Sequence, residues 1–572
     1  MRILIIGNGA REYSLGYFIK KNNNDCEIFF CPGNGGTESL GKNLDIVSYN
    51  EIVEWAKENR IDLSIVGSES YLADGIVDLF KKHSMLVLGP TQKAAKLESS
   101  KIYSKEFMKR HRIPTSPFKV FSDLKKSISY LAKCKFPLVI KADGLAAGKG
   151  AFIIKDIAHG LSVLNDLLSE KKLGDSGVKI VIEDYLEGEE VSILVLCNSK
   201  SYVTLLPSQD HKQAKEGDLG LNTGGMGAYA PYPLSDNEML FIKERIIEPT
   251  LNGMREEGSD FSGVLYCGLM LTSSGIKVIE YNVRFGDPEI QVILPLLESN
   301  LLDLLYRTAT DKELPNELKW KDKKSLGIVI ASNGYPDEYK KNIILPELNE
   351  IEDGYWVHAG TRKAGNAFVS NGGRVINRVV WKDSFSEARD VILSDLREEG
   401  WERFFHRRDI GYRVLRKEGN PILIAIIAGS KSDHKKLDDL FKVLNHFKQS
   451  YIFRTISAHR QPDQLGEFLV ACEKLDVKVL IAAAGLAAHL PGVIASKTLK
   501  PVIGVPLEAG SLSGVDALHS ICQMPPGVPV ATVGIDNVRN AAFLALQILA
   551  LDDNVLKENL INYRQKWKEQ NA

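Results

Sequence analysis

Apolar and polar positions alternate between two periods along the first hundred residues. Residues 2 to 6, Arg2 followed by the unbroken apolar run Ile3 to Ile6, predict a strand buried on both faces. Gly7-Asn8-Gly9-Ala10-Arg11 then turns into a helical pattern, and further strand-like runs lie at Glu27 to Cys31 and Leu63 to Gly67. This alternation predicts a β/α unit on a parallel sheet. A helical pattern from Thr91 to His111 stops at Ile113-Pro114. Strands then dominate, at Pro137 to Ala142, Ala151 to Lys155, Val178 to Tyr185 and Ile276 to Asn282, so a second, α+β domain is expected to start near residue 105. From Ser325 the chain is again strand-rich, with Asn371-Gly372 as a two-residue hairpin signal. After the polar break Arg416 to Asn420, a second buried strand begins at Pro421 and runs into a Gly/Ser turn at Gly429.

Length agrees with several folding units: 572 residues at about 150 per domain predict about four. The composition, 44% hydrophobic and 25% charged, is that of globular chains, and the net charge of −1 gives no basis for attraction to nucleic acid or membrane. Seven cysteines form neither a C-x-x-C pair nor a disulfide ladder, which points to a reducing cytoplasm. No apolar run reaches the ~18 residues of a membrane span, and the N-terminal one is too short for a signal segment.

Several segments carry chemistry. Gly7-x-Gly9 after a first strand fits a phosphate cradle or a plain tight turn, and Glu12 in place of a third glycine removes the dinucleotide fingerprint. Asp143-Gly-Leu-Ala-Ala-Gly148-Lys149-Gly150 lies between two strands, where its glycines let backbone approach anionic oxygens while Lys149 and Lys141 add charge. The Walker spacing is absent, leaving a different nucleotide loop or a glycine-rich hairpin. Glu183 to Glu190 ends a strand with carboxylates suited to adenosine or to solvent. Glu280-Tyr-Asn282-Val-Arg284 puts three polar groups at period two on one strand face: hard oxygens suited to Mg²⁺ on phosphates, and a guanidinium suited to an acyl phosphate or carboxylate. An ion-paired strand edge has the same pattern.

Together, the glycine loop, E-x-x-L-x-G-x-E and E-x-N-x-R resemble the ATP-grasp ligases. Lys141 to Gly150, Gln209-Asp-His-Lys212, Asn222-Thr-Gly-Gly-Met-Gly227 and Arg284-Phe-Gly-Asp-Pro-Glu289 resemble the phosphoribosylamine–glycine ligase family over about 1 to 418. The resemblance implies that ATP phosphorylates glycine and that the amine of phosphoribosylamine displaces phosphate. It implies ATP contacts at Lys105, Lys141, Gly148, Lys149, Gly150, Glu183 and Glu190, and a metal, Mg²⁺ or Mn²⁺, at Glu280 and Asn282. It places Arg284 and Asp287 at the reacting glycine, and Gly9, Asp210, Asn222, Thr223 and Gly225 at substrate. Two motifs depart from the family: Gly9-Ala-Arg-Glu-Tyr-Ser14 stands for G-G-R-E-H-A, and Ser68-Glu-Ser-Tyr-Leu72 for P-E-A-P-L.

The last 150 residues carry a separate set of motifs. Gly429-Ser430-Lys431-Ser432-Asp433 after a buried strand fits a phosphate turn or an N-cap. Ser457-Ala-His459-Arg460 follows the strand Tyr451 to Ile456, in the loop where open α/β sheets bind ligands. With Ala487-Ala-His-Leu-Pro-Gly492, Gly504-Val-Pro506, Ser513-Gly-Val-Asp516 and Gln523-Met-Pro525, they resemble the bacterial carboxyaminoimidazole ribonucleotide mutases over about 421 to 566. The resemblance implies His459 as proton carrier, Ser430, Ser432, Asp433, Arg460 and His489 at substrate, no cofactor, and an octamer built through this part. Arg460 stands where the animal-type carboxylases have Lys, and Leu486 where a Gly is usual.

The expectation is a multidomain α/β and α+β chain. An ATP-grasp ligase, with a pre-ATP-grasp α/β domain at 1-104, an ATP-grasp domain at 105-315 and a small C-terminal β-rich domain at 316-418, is followed by a flavodoxin-like three-layer α/β domain with a parallel sheet at 421-572. The expected function is two reactions of purine biosynthesis on glycine, phosphoribosylamine and carboxyaminoimidazole ribonucleotide. The alternatives are a front half reduced to a nucleotide-binding scaffold, or an ATP-dependent carboxylating ligase feeding the mutase.

Overall fold

The computed structural model describes residues 1–145, 150–172 and 174–571. The chain divides into two compact units, one of Met1–Ala214 with Leu221–Ile410, the other of Lys215–Gly220 with Gly411–Ala572.

The first unit opens with a five-stranded parallel sheet in the order Lys42–Asn43, Glu27–Pro32, Arg2–Gly7, Leu63–Val66, Val87–Leu88. The first strand is central and Ile3 to Ile6 are fully buried, which is why its sequence shows no alternation. Two four-stranded antiparallel sheets follow. One orders Phe118–Phe121, Ile180–Asp184, Leu138–Ala142 and Ala151–Ile154; the other orders Tyr202–Thr204, Glu189–Cys197, Gly263–Thr272 and Gly275–Asn282. A larger antiparallel sheet is built on the pair Lys324–Ser332 and Arg374–Lys382.

Two expectations are corrected in this unit. The pattern from Thr91 to His111 is not one helix but two, Gln92–Ser99 and Lys101–Arg110, broken at Ser100, whose backbone is extended (φ −134°, ψ 111°). Ser100 caps the second helix, accepting from Tyr103 N at 3.1 Å, while its hydroxyl donates to Asp143 at 3.0 Å. A local cap and one tertiary partner thus overrule the continuous helical periodicity. Asn371-Gly372 is also not a hairpin turn. Ala367–Ser370 pairs instead with Thr361–Ala364, and the strand Arg374–Lys382 belongs to another sheet. Gly372 is needed for a close approach, since a Cβ there would lie 2.9 Å from the Gly360 Cα.

The second unit is a five-stranded parallel sheet in the order Tyr451–Thr455, Ile424–Ala428, Val479–Gly485, Val502–Leu507, Ala531–Thr532. By chain order this is 2-1-3-4-5, which puts a switch point between the first and third strands. Helices Asp438–His446 and Val538–Leu549 pack on the sheet through Leu440, Leu444, Ala541, Ala545 and Leu546. After Ser430 the chain enters a 3₁₀ turn, Lys431–Leu437, before the α-helix, so the helix begins later than its motif suggested.

Candidate active sites

In the first unit a cleft of about 470 Å³ lies where the two four-stranded sheets and the helix Lys101–Arg110 meet. Its floor is a buried charge cluster. Lys105 and Lys141 both pair with Glu183, the latter at 2.5 Å, and Ser116 donates to the same carboxylate at 2.8 Å. Burial pushes the Lys105 ammonium down to about 8 despite Glu183. Burial works against the Glu183 charge too, but two ammoniums outweigh it and hold the carboxyl at about 2. Glu183 was expected at adenosine; in the structure its oxygens are engaged by Lys105, Lys141 and Ser116, so it acts as their shared counter-ion. The neighbouring Asp184, Tyr185 and Leu186 line the cleft, as does Gly150. Gly148 and Lys149 lie outside the described residues.

Glu280 and Asn282, on the strand Gly275–Asn282, line the same cleft as their period-two spacing required. Arg284 was expected on that face too, but the strand ends at Asn282 and Arg284 reaches the cleft from the bend that follows. A bulge helps aim them: Gly268 pairs with Glu280 but Leu269 with Val278, leaving Ile279 unpaired. Its carbonyl accepts from Lys141 Nζ at 3.1 Å. Burial raises the cost of the Glu280 charge, but Lys212, Lys141, Lys101 and Arg284 hold its carboxyl at about 2. Glu280 and Asn282 together offer hard oxygen donors beside an open cleft, and no group of three acidic, His or Cys ligands occurs among the described residues. That donor set fits Mg²⁺, which binds through one or two protein ligands while phosphates and water complete its shell.

A second charge cluster lines the same cleft. Arg284 is gripped by Glu98 (Nη2 to Oε1, 3.0 Å) and Glu69 (3.4 Å), and Glu98 also accepts the Val283 N–H at 2.8 Å. Burial raises the Glu98 carboxyl above its ordinary range, while Arg284 opposes it. Asp287 accepts from Gln291 Nε2 at 2.8 Å and pairs with Arg374 at 3.2 Å. Arg374 also donates to the carbonyl of Gly224 at 2.7 Å, tying the Asn222 to Gly225 loop to Asp287.

The remaining expected substrate positions divide. Asp210, Asn222 and Thr223 line the cleft. The Thr223 hydroxyl is turned inward: it donates to the Lys212 carbonyl at 2.8 Å and accepts from Gly225 N at 3.0 Å. Gly225, at φ +108°, allows close packing, since a Cβ would sit 2.4 Å from Pro288. Gly9 N–H donates at 2.7 Å to Glu12, whose carboxylate fills the turn between Gly7 and Gly67. The helix N-terminus therefore already holds an anion, one supplied by the chain itself. Glu69, Glu98, Lys101, Lys212, Glu289, Tyr335 and Arg374 also line the cleft without having been singled out. Lys212 and Glu289 lay within motifs read for other residues, and nothing local marks Glu98 or Arg374.

In the second unit His459 and His489 meet at the C-terminal ends of the parallel strands, His459 Nε2 to His489 Nδ1 2.8 Å, with rings edge to face. Ser430 and Asp433 cap each other's turn: Ser430 N–H donates to Asp433 at 3.0 Å, and the Ser432 hydroxyl donates to Ser430 at 2.9 Å. Arg460 is exposed beside His459, its N–H donating to Ser457 Oγ at 3.4 Å. The turn before His489 is strained, with Leu486 at φ +55° and Ala488 at φ +39°.

Two antiparallel sheets closing on paired lysines, a shared glutamate and an E-x-N-x-R strand define the first unit as an ATP-grasp enzyme; the second is a doubly wound parallel α/β unit. Family models for phosphoribosylglycinamide synthetase match in series: the N domain at residues 1–98, the ATP-grasp (A) domain at 99–290 and the C domain at 325–413. The AIR carboxylase model matches residues 423–570. Phosphoribosylamine–glycine ligase of Vibrio parahaemolyticus is 42% identical over 426 residues, covering 73% of this chain and 99% of that protein. The Pseudomonas aeruginosa ligase is 40% identical over 427 residues, with 73% and 99% covered. The crystal structure of the Thermotoga maritima ligase superposes with a TM-score of 0.63 at 30% identity, covering 72% of this chain and all of that one. The biotin carboxylase domain of Hydrogenobacter thermophilus 2-oxoglutarate carboxylase shares the fold, with a TM-score of 0.56 at 16% identity over 71% of this chain and 90% of that one. The chain belongs to the phosphoribosylamine–glycine ligase family and carries an AIR carboxylase domain behind it.

Proposed function

We propose that this bifunctional enzyme of purine biosynthesis joins glycine to 5-phosphoribosylamine in its first unit and moves a carboxylate on an imidazole ribonucleotide in its second. In the first reaction a glycine carboxylate oxygen attacks the γ-phosphorus of ATP, ADP leaves, and glycyl phosphate forms. The amine then attacks the acyl carbon, phosphate departs and a proton is lost. The observation that carries this reading is that ammonium groups suited to phosphate, Lys105 and Lys141, hard oxygens suited to a metal, Glu280 and Asn282, and a guanidinium suited to a carboxylate, Arg284, line one cleft with Asp287. Lys105 and Lys141, held in place by Glu183, meet the phosphates; Glu190 and the segment Asp184 to Leu186 meet the adenosine. Mg²⁺, or Mn²⁺, held by Glu280 and Asn282 would neutralise charge on the transferring phosphoryl group. Arg284, fixed by Glu98 and Glu69, orients the glycine carboxylate.

In the second unit His459 carries a proton. When carboxylate leaves the exocyclic nitrogen of carboxyaminoimidazole ribonucleotide and bonds to C4, that carbon holds both hydrogen and carboxylate, and a base must remove the proton to restore aromaticity. Imidazole does this near neutral pH without a cofactor. Arg460, Ser430, Ser432 and Asp433 surround the ligand's phosphate and ribose, and His489 contacts the base. Arg460 favours migration of a carboxylate over direct carboxylation.

The domain division 1-104, 105-315, 316-418 and 421-572, a cytoplasmic location and an octamer through the second unit belong to this proposal. Seven free thiols suit a reducing compartment, and the exposed Leu499, Leu551 and Val555 suit contacts between copies. Among the described residues no helix is long and apolar enough to cross a membrane. Light scattering on the intact chain and on a version ending at Glu418 tests the assembly, and a monomeric intact chain overturns it. The chemical test is product identification with ATP, glycine and phosphoribosylamine. ADP release must require glycine, and Glu280→Gln must abolish it while the second activity persists. Bicarbonate-dependent release without glycine would instead establish a carboxylating ligase, and no turnover a scaffold.

A further inference from the structure

Lys212 occupies the middle of the ligase cleft's acidic groups. Its ammonium pairs with Glu190 and lies 3.9 Å from Glu280 Oε1, with Asp210 two residues back along the chain. The side chain is only 25% exposed. Its backbone is held from the other side, because the Lys212 carbonyl accepts both the N–H and the hydroxyl of Thr223 at 2.8 Å. Only the four-carbon stem is left free to move the charge.

From this geometry we infer that Lys212 is an internal counter-cation that compensates Glu280 and Glu190 until nucleotide enters, so that the divalent metal arrives with the nucleotide and not before it. The inference rests on the assignment of Glu280 and Asn282 as metal ligands. A divalent cation approaching the nucleotide-free cleft meets carboxylates whose charge is already balanced, and it must displace or tolerate an ammonium within ion-pair distance. A triphosphate changes that balance. It brings new anionic oxygens to which Lys212 can swing, and it supplies the ligands that complete a shell the protein provides only in part. Thr223 is then a positioning residue: its hydroxyl fixes the point from which the lysine swings.

The test is Mn²⁺ binding, followed by the electron paramagnetic resonance of free Mn²⁺ at constant pH, to the intact protein with and without the β,γ-methylene analogue of ATP. Without nucleotide, Lys212→Met should bind Mn²⁺ about tenfold or more tightly than the unaltered protein, the scale on which one charge at a cation site tunes affinity. Lys212→Gln serves equally where the Met variant does not fold. Lys212→Arg keeps the charge and should leave the nucleotide-free affinity unchanged. Adding Glu280→Gln to Lys212→Met should remove the gain, which ties it to this site. Neutral variants that bind Mn²⁺ no more tightly than the unaltered protein, or an Arg variant that gains as much as the Met one, overturn the inference alone. If Glu280→Gln leaves Mn²⁺ binding with the analogue unchanged, the metal assignment falls and the inference with it.

Discussion

Replacing Glu183 by Gln isolates the charge balance on which the ligase cleft is built. The substitution keeps the size of the side chain but leaves Lys105 and Lys141, 3% and 5% exposed, without their shared counter-charge. The difference between a carboxyl at about 2 and its ordinary 4.5, at about 1.4 kcal/mol per pH unit, is roughly 3 kcal/mol. Breaking a buried ion pair by removing one partner typically costs about 3–5 kcal/mol, so the two estimates agree. Because the folded value is depressed, this stabilisation is complete above pH ~4.5 and is lost as the pH falls through about 2. Five of the six tryptophans, at 55, 320, 356, 381 and 401, lie in the first unit, so urea unfolding followed by tryptophan fluorescence reads that unit. At pH 7.5 the variant should lose roughly 3 kcal/mol, and near pH 3 the gap to the unaltered protein should narrow. Lys105, already at about 8, should fall further without Glu183 and be partly neutral at pH 7.5. The KM for ATP should therefore rise about tenfold or more. A stability loss under ~1 kcal/mol at pH 7.5, with KM unchanged, would refute the view that Glu183 holds the two lysines.

Three further predictions address positioning, proton transfer and strain. Glu98→Gln keeps the acceptor for Val283 N–H but removes the charge facing Arg284; the KM for glycine should rise about tenfold while that for ATP stays within about twofold, and equal changes in both would point to general loosening. His459→Asn should bind the imidazole ribonucleotide yet turn it over at least about a hundredfold more slowly with ligation intact; undiminished turnover would transfer the proton to His489. Leu486→Gly should stabilise the second unit by about 1 kcal/mol in thermal unfolding of the intact chain, because Leu486 is exposed at φ +55°; a lower melting temperature would show that its side chain packs usefully, for instance against Gly510.

The local features of this protein follow from its amino-acid order alone. The buried run Ile3 to Ile6 becomes a central parallel strand because backbone pairing on both sides leaves no face for polar residues. Glu280 and Asn282 reach one cleft because side chains two apart on a strand share a face. The buried strand Ile424–Ala428 and the loop carrying His459 were equally legible, since strand and turn signals act over a few residues, although the strand starts three residues after the expected Pro421. Charge compensation is different, because it depends on which groups the fold brings together across long stretches of chain. Glu98 carried no local signal until the fold set it against Arg284, 186 positions later, and neither did Arg374 until it reached Asp287. Thr223 lines the cleft as a substrate position would, but the sequence could not show that its hydroxyl is already bonded to the Lys212 carbonyl and the Gly225 N–H. The motifs specify which chemical groups are present; tertiary structure alone decides which of them remain available to a ligand, because burial makes each charge and each hydroxyl find a partner first.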